Sequence, residues 1–202
     1  KNIFELKHAK RLRVEGNIFE HNWLHAQSGF AILFTVRNQN GGNTWATVSD
    51  VTFRYNVLRH TDHGVNVLGK DNLQTSDNSR RILIRDNLVY DLGAYGATGR
   101  TFQYVAESVD HTIDHNTTLD ADSSVMIADT PPSGTTFTFQ NNINARGSSG
   151  FIGTGTGDGN QTLATFFPSG VYATNAQIGG VSANYSSHPG NFFPANIAAV
   201  GF

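Results

Sequence analysis

Lys70 and Glu107 stand five residues beyond Val65 and Phe102, at matching places in two successive apolar stretches of the sequence. Thr35 and Thr130 occupy the same place after Phe30 and Val125. Alternation along a strand puts all four in one outward column, with Lys70 beside Glu107 and with Arg37, Asn38, Asp71 and Arg100 close by. Two chemistries suit such a set. In a hydrolase, Glu107 or Asp71 protonates a leaving oxygen while a second carboxylate activates water. In a lyase, Lys70 removes the proton beside a uronate whose carboxylate Arg37 or Arg100 neutralises. The plain alternative is a cross-strand ion pair on a solvated face.

Histidines make a second set. His21 and His25, then His60 and His63, fall near the turns that enter two successive glycine-led stretches. Stacked across neighbouring coils they could act as a base or hold a divalent cation, although ordinary turn hydrogen bonds use histidine the same way. No His-Glu-x-x-His motif is present, so no metal ligand set is assigned and no cofactor is required by the sequence. His111 aligns with Leu12, Val51, Ile82 and Phe137 and is expected to be buried. Trp45, Tyr95, Tyr90 and Trp23 lie in or near turns, where aromatic faces meet sugar rings; a core plug is the other reading of Trp23. Gly153–Asn160 fails both standard phosphate-loop spacings and reads as a flexible turn. No Gly-x-Ser-x-Gly elbow supports an esterase.

These residues must be positioned by a repeat. An apolar residue, two variable ones and asparagine recur at Val14–Asn17, Phe53–Asn56, Ile84–Asn87, Ile113–Asn116, Phe139–Asn142 and, more weakly, Tyr172–Asn175. The asparagines are 39, 31, 29, 26 and 33 residues apart. Such near-periodicity marks a solenoid, whose long face suits a long polymer. A second element lies between the motifs, as in Gly29–Phe34, Gly64–Gly69, Thr101–Ala106, Ser124–Ala128 and Gly150–Thr154. Each coil therefore holds at least two strands, and no segment has sustained helical periodicity. Stacking the coils predicts one inward stack of Phe30, Val65, Phe102, Val125 and Phe151, and another of Val14, Phe53, Ile84, Ile113 and Phe139. Between strands the asparagines form a ladder, which leaves Asn116 unavailable to a glycan despite its Asn-x-Thr sequon.

Composition agrees. Gly is frequent at 21 residues and Pro scarce at 5, as in a turn-rich β-protein. A net charge of −2 offers no basic stripe for nucleic acid. No apolar run reaches membrane-spanning length, and no cysteine staples the fold. Strand character begins at Asn2 with no cap, so self-association through the N-terminal coil is expected.

The stretches Asn2–Trp23, Gly29–Asn38 and Arg81–Leu88 resemble bacterial right-handed β-helix repeat proteins of the pectate-lyase-like superfamily. The resemblance runs through Gly190–Pro194 and implies chains longer at both ends. The fold expected is all-β, a right-handed single-stranded parallel β-helix of about five to six coils. Residues 1–156 form the coils with the asparagine ladder; residues 157–202 form a last irregular coil and tail of the same domain. The superfamily implies a carbohydrate polymer as partner and an extracellular or periplasmic location, not a particular reaction. A hydrolase or β-eliminating lyase acting in an outer groove is the first expectation. Catalysis would fall to Lys70, Glu107, Asp71, Arg37, Arg100 and His63, and substrate binding to His60, Trp45, Tyr95 and Asn38. A non-catalytic glycan-binding or surface-structural module is the alternative. The insertions Gln39–Trp45, Asp71–Ser79 and Gly93–Gly99 are expected to project from one side and build the binding surface.

Overall fold

A computed structural model describes residues 1–25, 29–119 and 122–201. The chain is all-β, with three parallel sheets visited in rotation. The first sheet takes Phe4–Leu6, Phe30–Thr35, His63–Leu68, Arg100–Val105, Ser124–Asp129 and Gly150–Gly153. The second takes Ala9–Glu15, Val48–Arg54, Arg80–Arg85, Ser108–Asp114, Thr138–Gln140 and Val171–Ala173, with Gly134–Thr135 also beside Ser108–Asp114. The third takes Ile18–Asn22, Val57–Thr61, Leu88–Leu92, Thr117–Thr118, Ile143–Ala145 and Ala176–Ile178. Each strand pairs with its counterpart one rotation away, an arrangement compatible with a parallel β-helix.

The turn between the second and third sheets explains the sequence repeat. Each ladder asparagine donates its backbone N–H and its Nδ2 to the Oδ1 of the next one, from Asn17 through Asn56, Asn87, Asn116 and Asn142 to Asn175. Asn56, Asn87, Asn116, Asn142 and Asn175 are buried, so every amide is satisfied where water cannot reach it. The residue before each asparagine is left-handed, with φ of 71° at Gly16, 54° at Tyr55, 53° at Asp86, 53° at His115, 56° at Asn141 and 55° at Thr174. A second left-handed column lies six residues before each asparagine, at Arg11, Asp50, Arg81, Asp110, Thr136 and Ser169. The repeat is therefore a seven-residue unit with two bends, not a bare asparagine signature.

One predicted stack is correct. Val14, Phe53, Ile84, Ile113, Phe139 and Tyr172 are partners along the second sheet. The other is shifted. Phe30 pairs with His63, Val65 with Ile32 and Phe102, and Phe102 with Met126, which in turn pairs with Phe151. Aligning the stretches on their leading glycine misplaced Phe30 by two residues. Aligning Thr101 with Ser124, whose partner is Arg100, misplaced Val125 by one against Phe102, and a register irregularity between Ser124 and Met126 displaces it against Phe151. The core otherwise fills with aromatic and branched side chains, Phe34, Phe53, Phe102, Tyr104, Phe139 and Phe151 among them.

Past Gly155 the chain differs from the sequence reading. Asn160–Phe166 is a short α-helix whose Thr162, Leu163 and Phe166 are buried. Its apolar face is too short to show as a helical period. Asp158 anchors this end, accepting from Arg146 Nε at 3.0 Å and Phe151 N–H at 2.9 Å, while Tyr185 donates its hydroxyl at 2.5 Å. Asn191, only 16 residues past Asn175, receives the last ladder bonds.

Candidate functional site

The outer face of the first sheet carries a groove of about 370 Å³. Its floor is two columns: Glu5, Leu33, Asn66 and Gln103, which are in register, and Lys7, Thr35, Leu68 and Val105 beside them. A second hollow of about 430 Å³ shares Lys7 and Arg37 with it and adds Asn38, Gln39, Asn40, Asp71, Leu73 and Gln74. The insertions Gln39–Trp45 and Asp71–Ser79 leave the first sheet toward the second and border this end. Gly93–Gly99 instead precedes the first-sheet strand Arg100–Val105, so it flanks the opposite border. The three insertions therefore do not share one side: the sequence equated turns that follow strands of different sheets.

Asp71 is the most structured group here. It is buried, and its Oδ2 accepts the Asn38 N–H at 2.6 Å. Its Oδ1 accepts the N–H groups of Leu73 at 2.8 Å and Gln74 at 3.3 Å, and lies 3.2 Å from Arg37 Nη1. Burial alone would raise its pKa, but the three backbone donors and Arg37 outweigh it and hold the carboxyl below its usual range. Asn38, also buried, ties the two insertions together by donating its Nδ2 to the Thr75 carbonyl at 2.6 Å and accepting from Asn43 N–H.

Lys70 and Glu107 do meet, at 2.9 Å, with both side chains substantially in solvent. Lys70 is the chief reason that Glu107 stays below its usual carboxylate pKa, and Asn78 adds to it. Both candidate carboxylates are thus held ionised, which does not suit either to protonate a leaving oxygen at neutral pH.

The remaining candidates separate. Arg100 and His63 sit at the opposite ends of their strands from Glu107 and Lys70, roughly 20 Å along the strand direction. His63 is buried against Phe30, ring centroids 4.8 Å apart, and its Nδ1 accepts the Arg100 N–H at 3.1 Å. Burial, with Arg100 second, pushes its pKa down to about 4, so the ring is neutral. Arg100, expected close to the Lys70–Glu107 column, instead begins the strand that Glu107 follows.

His60 points out of the third sheet. It pairs with Asp91 through Nδ1 and stacks on His21, centroids 5.5 Å apart. His21 in turn shares a 2.8 Å hydrogen bond with the Tyr95 hydroxyl. His25 is exposed, and it is His21, not His25, that meets His60. Among the described residues no group of three histidine, aspartate or glutamate side chains is placed to hold a metal ion. Trp45 is exposed with its edge against His8, and Trp23 is exposed rather than a core plug. His111 is buried as expected, with Ser79 Oγ 3.1 Å from its Nε2.

Thr35, expected in the column of Lys70 and Glu107, pairs instead with Leu68 and lines the groove, while Asn66 and Gln103 were missed as groove residues. Thr35 is buried, and its hydroxyl and the Oδ1 of Asn66 have no hydrogen-bond partner among the described residues. Outward polar residues in otherwise apolar strands were the available signal. Comparison with family models, with curated proteins and with solved structures returns no match. Among the described residues no helix is long and apolar enough to cross a membrane.

Proposed function

We propose that this chain is a right-handed parallel β-helix of the pectate-lyase-like type whose first-sheet outer face binds an extended polysaccharide without cleaving it. The observation that carries this reading is the groove floor. Asn66 and Gln103 stand in register on neighbouring coils beside Leu68 and Val105, so amides alternate with aliphatic surface. Strands stack about 4.8 Å apart, close to the length of one sugar ring, so each coil can address one sugar. Asn66 and Gln103 are half-buried, so their side chains stay partly open to a glycan on this face. Lys7 and Arg37 at one end favour a chain that carries carboxylates there.

The ionised state of Asp71 and Glu107 favours binding over hydrolysis. The test is affinity electrophoresis against plant, algal and bacterial polysaccharides, with the same mixtures assayed for new reducing ends and unsaturated uronate absorbance. Retarded migration without either product supports the reading. Product formation that is lost in Lys70→Ala returns the chain to the enzymes. No retardation by any polysaccharide overturns glycan recognition.

A further inference from the structure

The groove floor repeats one small motif on neighbouring coils. Asn66 and Leu68 stand on one strand and Gln103 and Val105 on the next, with Gln103 in register with Asn66 and Val105 with Leu68. All four line the groove. On each coil an amide is thus followed, about 7 Å along the strand, by an aliphatic side chain. Leu33, the partner of Asn66 on the coil before, extends the apolar surface. Charge is confined to one end. Among the described residues that line the groove only Glu5, Lys7 and Arg37 are charged, and Lys7 already faces Glu5 as Arg37 faces Asp71. Lys70 and Glu107, beyond the floor, satisfy each other. The one aromatic lining residue, Phe30, is buried against His63 and offers no open face on which a sugar ring could stack.

We propose that the polymer bound on this face is built of N-acetylated amino sugars and is neutral over the coils of Asn66 and Gln103. The inference rests on the glycan reading above and names its substrate class. An acetamido group has the two parts that the floor repeats, an amide and a methyl. Its N–H donates to the side-chain oxygen of Asn66 or Gln103, its carbonyl accepts from the side-chain N–H of the same residue, and its methyl packs on Leu68 or Val105. A hydroxyl in that place leaves part of the side-chain amide unpaired and the aliphatic surface uncovered. A run of uronates fits worse. Over Leu33, Leu68 and Val105 each carboxylate would lose water with no cation to face it. A carboxylate can meet a cation only at the end that carries Lys7 and Arg37.

Neutral polymers that differ chiefly in bearing an acetamido group or a hydroxyl beside the anomeric carbon test this. Affinity electrophoresis of the full chain compares glycol chitin with hydroxyethylcellulose, and a 1,6-linked N-acetylglucosamine polymer with a 1,6-linked glucan. Polygalacturonate serves as the charged control. In at least one pair the N-acetylated polymer is expected to retard migration at a concentration at least about tenfold lower than its hydroxyl counterpart. Gln103→Leu and Val105→Asn should each bring that ratio toward one, a change of selectivity that misfolding does not produce. Equal retardation within both pairs, or stronger retardation by polygalacturonate, overturns the inference and leaves glycan binding standing. A preference that survives both substitutions overturns the assignment to this floor. Retardation by no polysaccharide overturns the inference together with the reading on which it rests.

Discussion

Asn56 donates twice to one oxygen, the Oδ1 of Asn87, from its backbone at 2.9 Å and its side chain at 3.1 Å. Asn87 repeats the act on Asn116 and also donates to the Phe53 carbonyl at 3.0 Å. Removing one amide therefore strands donors on one neighbour and acceptors on the other, in a region closed to water. Asn87→Ala is expected to cost on the order of 1–3 kcal/mol, measured by urea unfolding. Asn17→Ala, at the exposed end of the ladder, should cost clearly less. Equal effects at both positions would mean that the ladder bonds contribute little.

The left-handed column makes a second prediction. Thr174 holds φ at 55° beside Asn175, a conformation that β-branched side chains resist. Its Oγ1 bonds the Asn141 Oδ1, so the exchange must keep a donor. Thr174→Asn should stabilise the chain by about 0.5–1 kcal/mol, because asparagine tolerates this region. Gly16→Val, which places a β-branched residue at φ 71°, should destabilise it. A thermal melt of each variant decides; a stabilised Gly16→Val would refute the strain argument.

How much was legible follows from which forces leave a local trace. The asparagine turn shows in the sequence because one residue type must recur at one corner. The second-sheet stack from Val14 to Tyr172 follows because three residues separate each member from that corner. First-sheet register was lost because Gly29 and Gly64 are not equivalent: Gly64 lies inside its strand, where a Cβ would come 2.3 Å from the Thr101 carbonyl oxygen. The Lys70–Glu107 pair was found by alignment between two coils whose offset happened to be right. Nothing local distinguishes that solvated pair from a reacting one. Asn191 escaped because the residue three before it is His188, not an apolar one.

Lys70 and Glu107 give a direct contest between catalysis and support. If the pair only bridges two coils at the surface, Lys70→Ala and Glu107→Gln should each change stability by less than about 1 kcal/mol and leave polysaccharide retardation intact. Asn66→Ala and Arg37→Ala, which alter the groove itself, should weaken retardation, Asn66→Ala without loss of folding. Loss of binding in Lys70→Ala with wild-type binding in Asn66→Ala would place the site on the wrong column.

Stability should fall with acid before ordinary carboxylates titrate. Burial pushes His111 down to about 3, and His63 is lowered to about 4 by burial and by Arg100. Both begin from 6.5 when unfolded. Between those limits the unfolded chain binds protons that the folded chain refuses, so stability rises with pH there and is lost as pH falls from 6.5 toward 4 and 3. Each histidine contributes a slope of at most about 1.4 kcal/mol per pH unit. Asp71 and Asp114, both held below their usual range, add the same sign of loss only further into acid. His111→Leu, an apolar residue matched to Leu12, Val51 and Ile82 in its column, should flatten the slope while leaving Ser79 and Tyr104 without their ring partner. The variant is thus less stable at neutral pH but loses less on acidification. Urea midpoints taken across this range for both proteins test it, and an unchanged slope in the variant would show that His111 is not the group responsible.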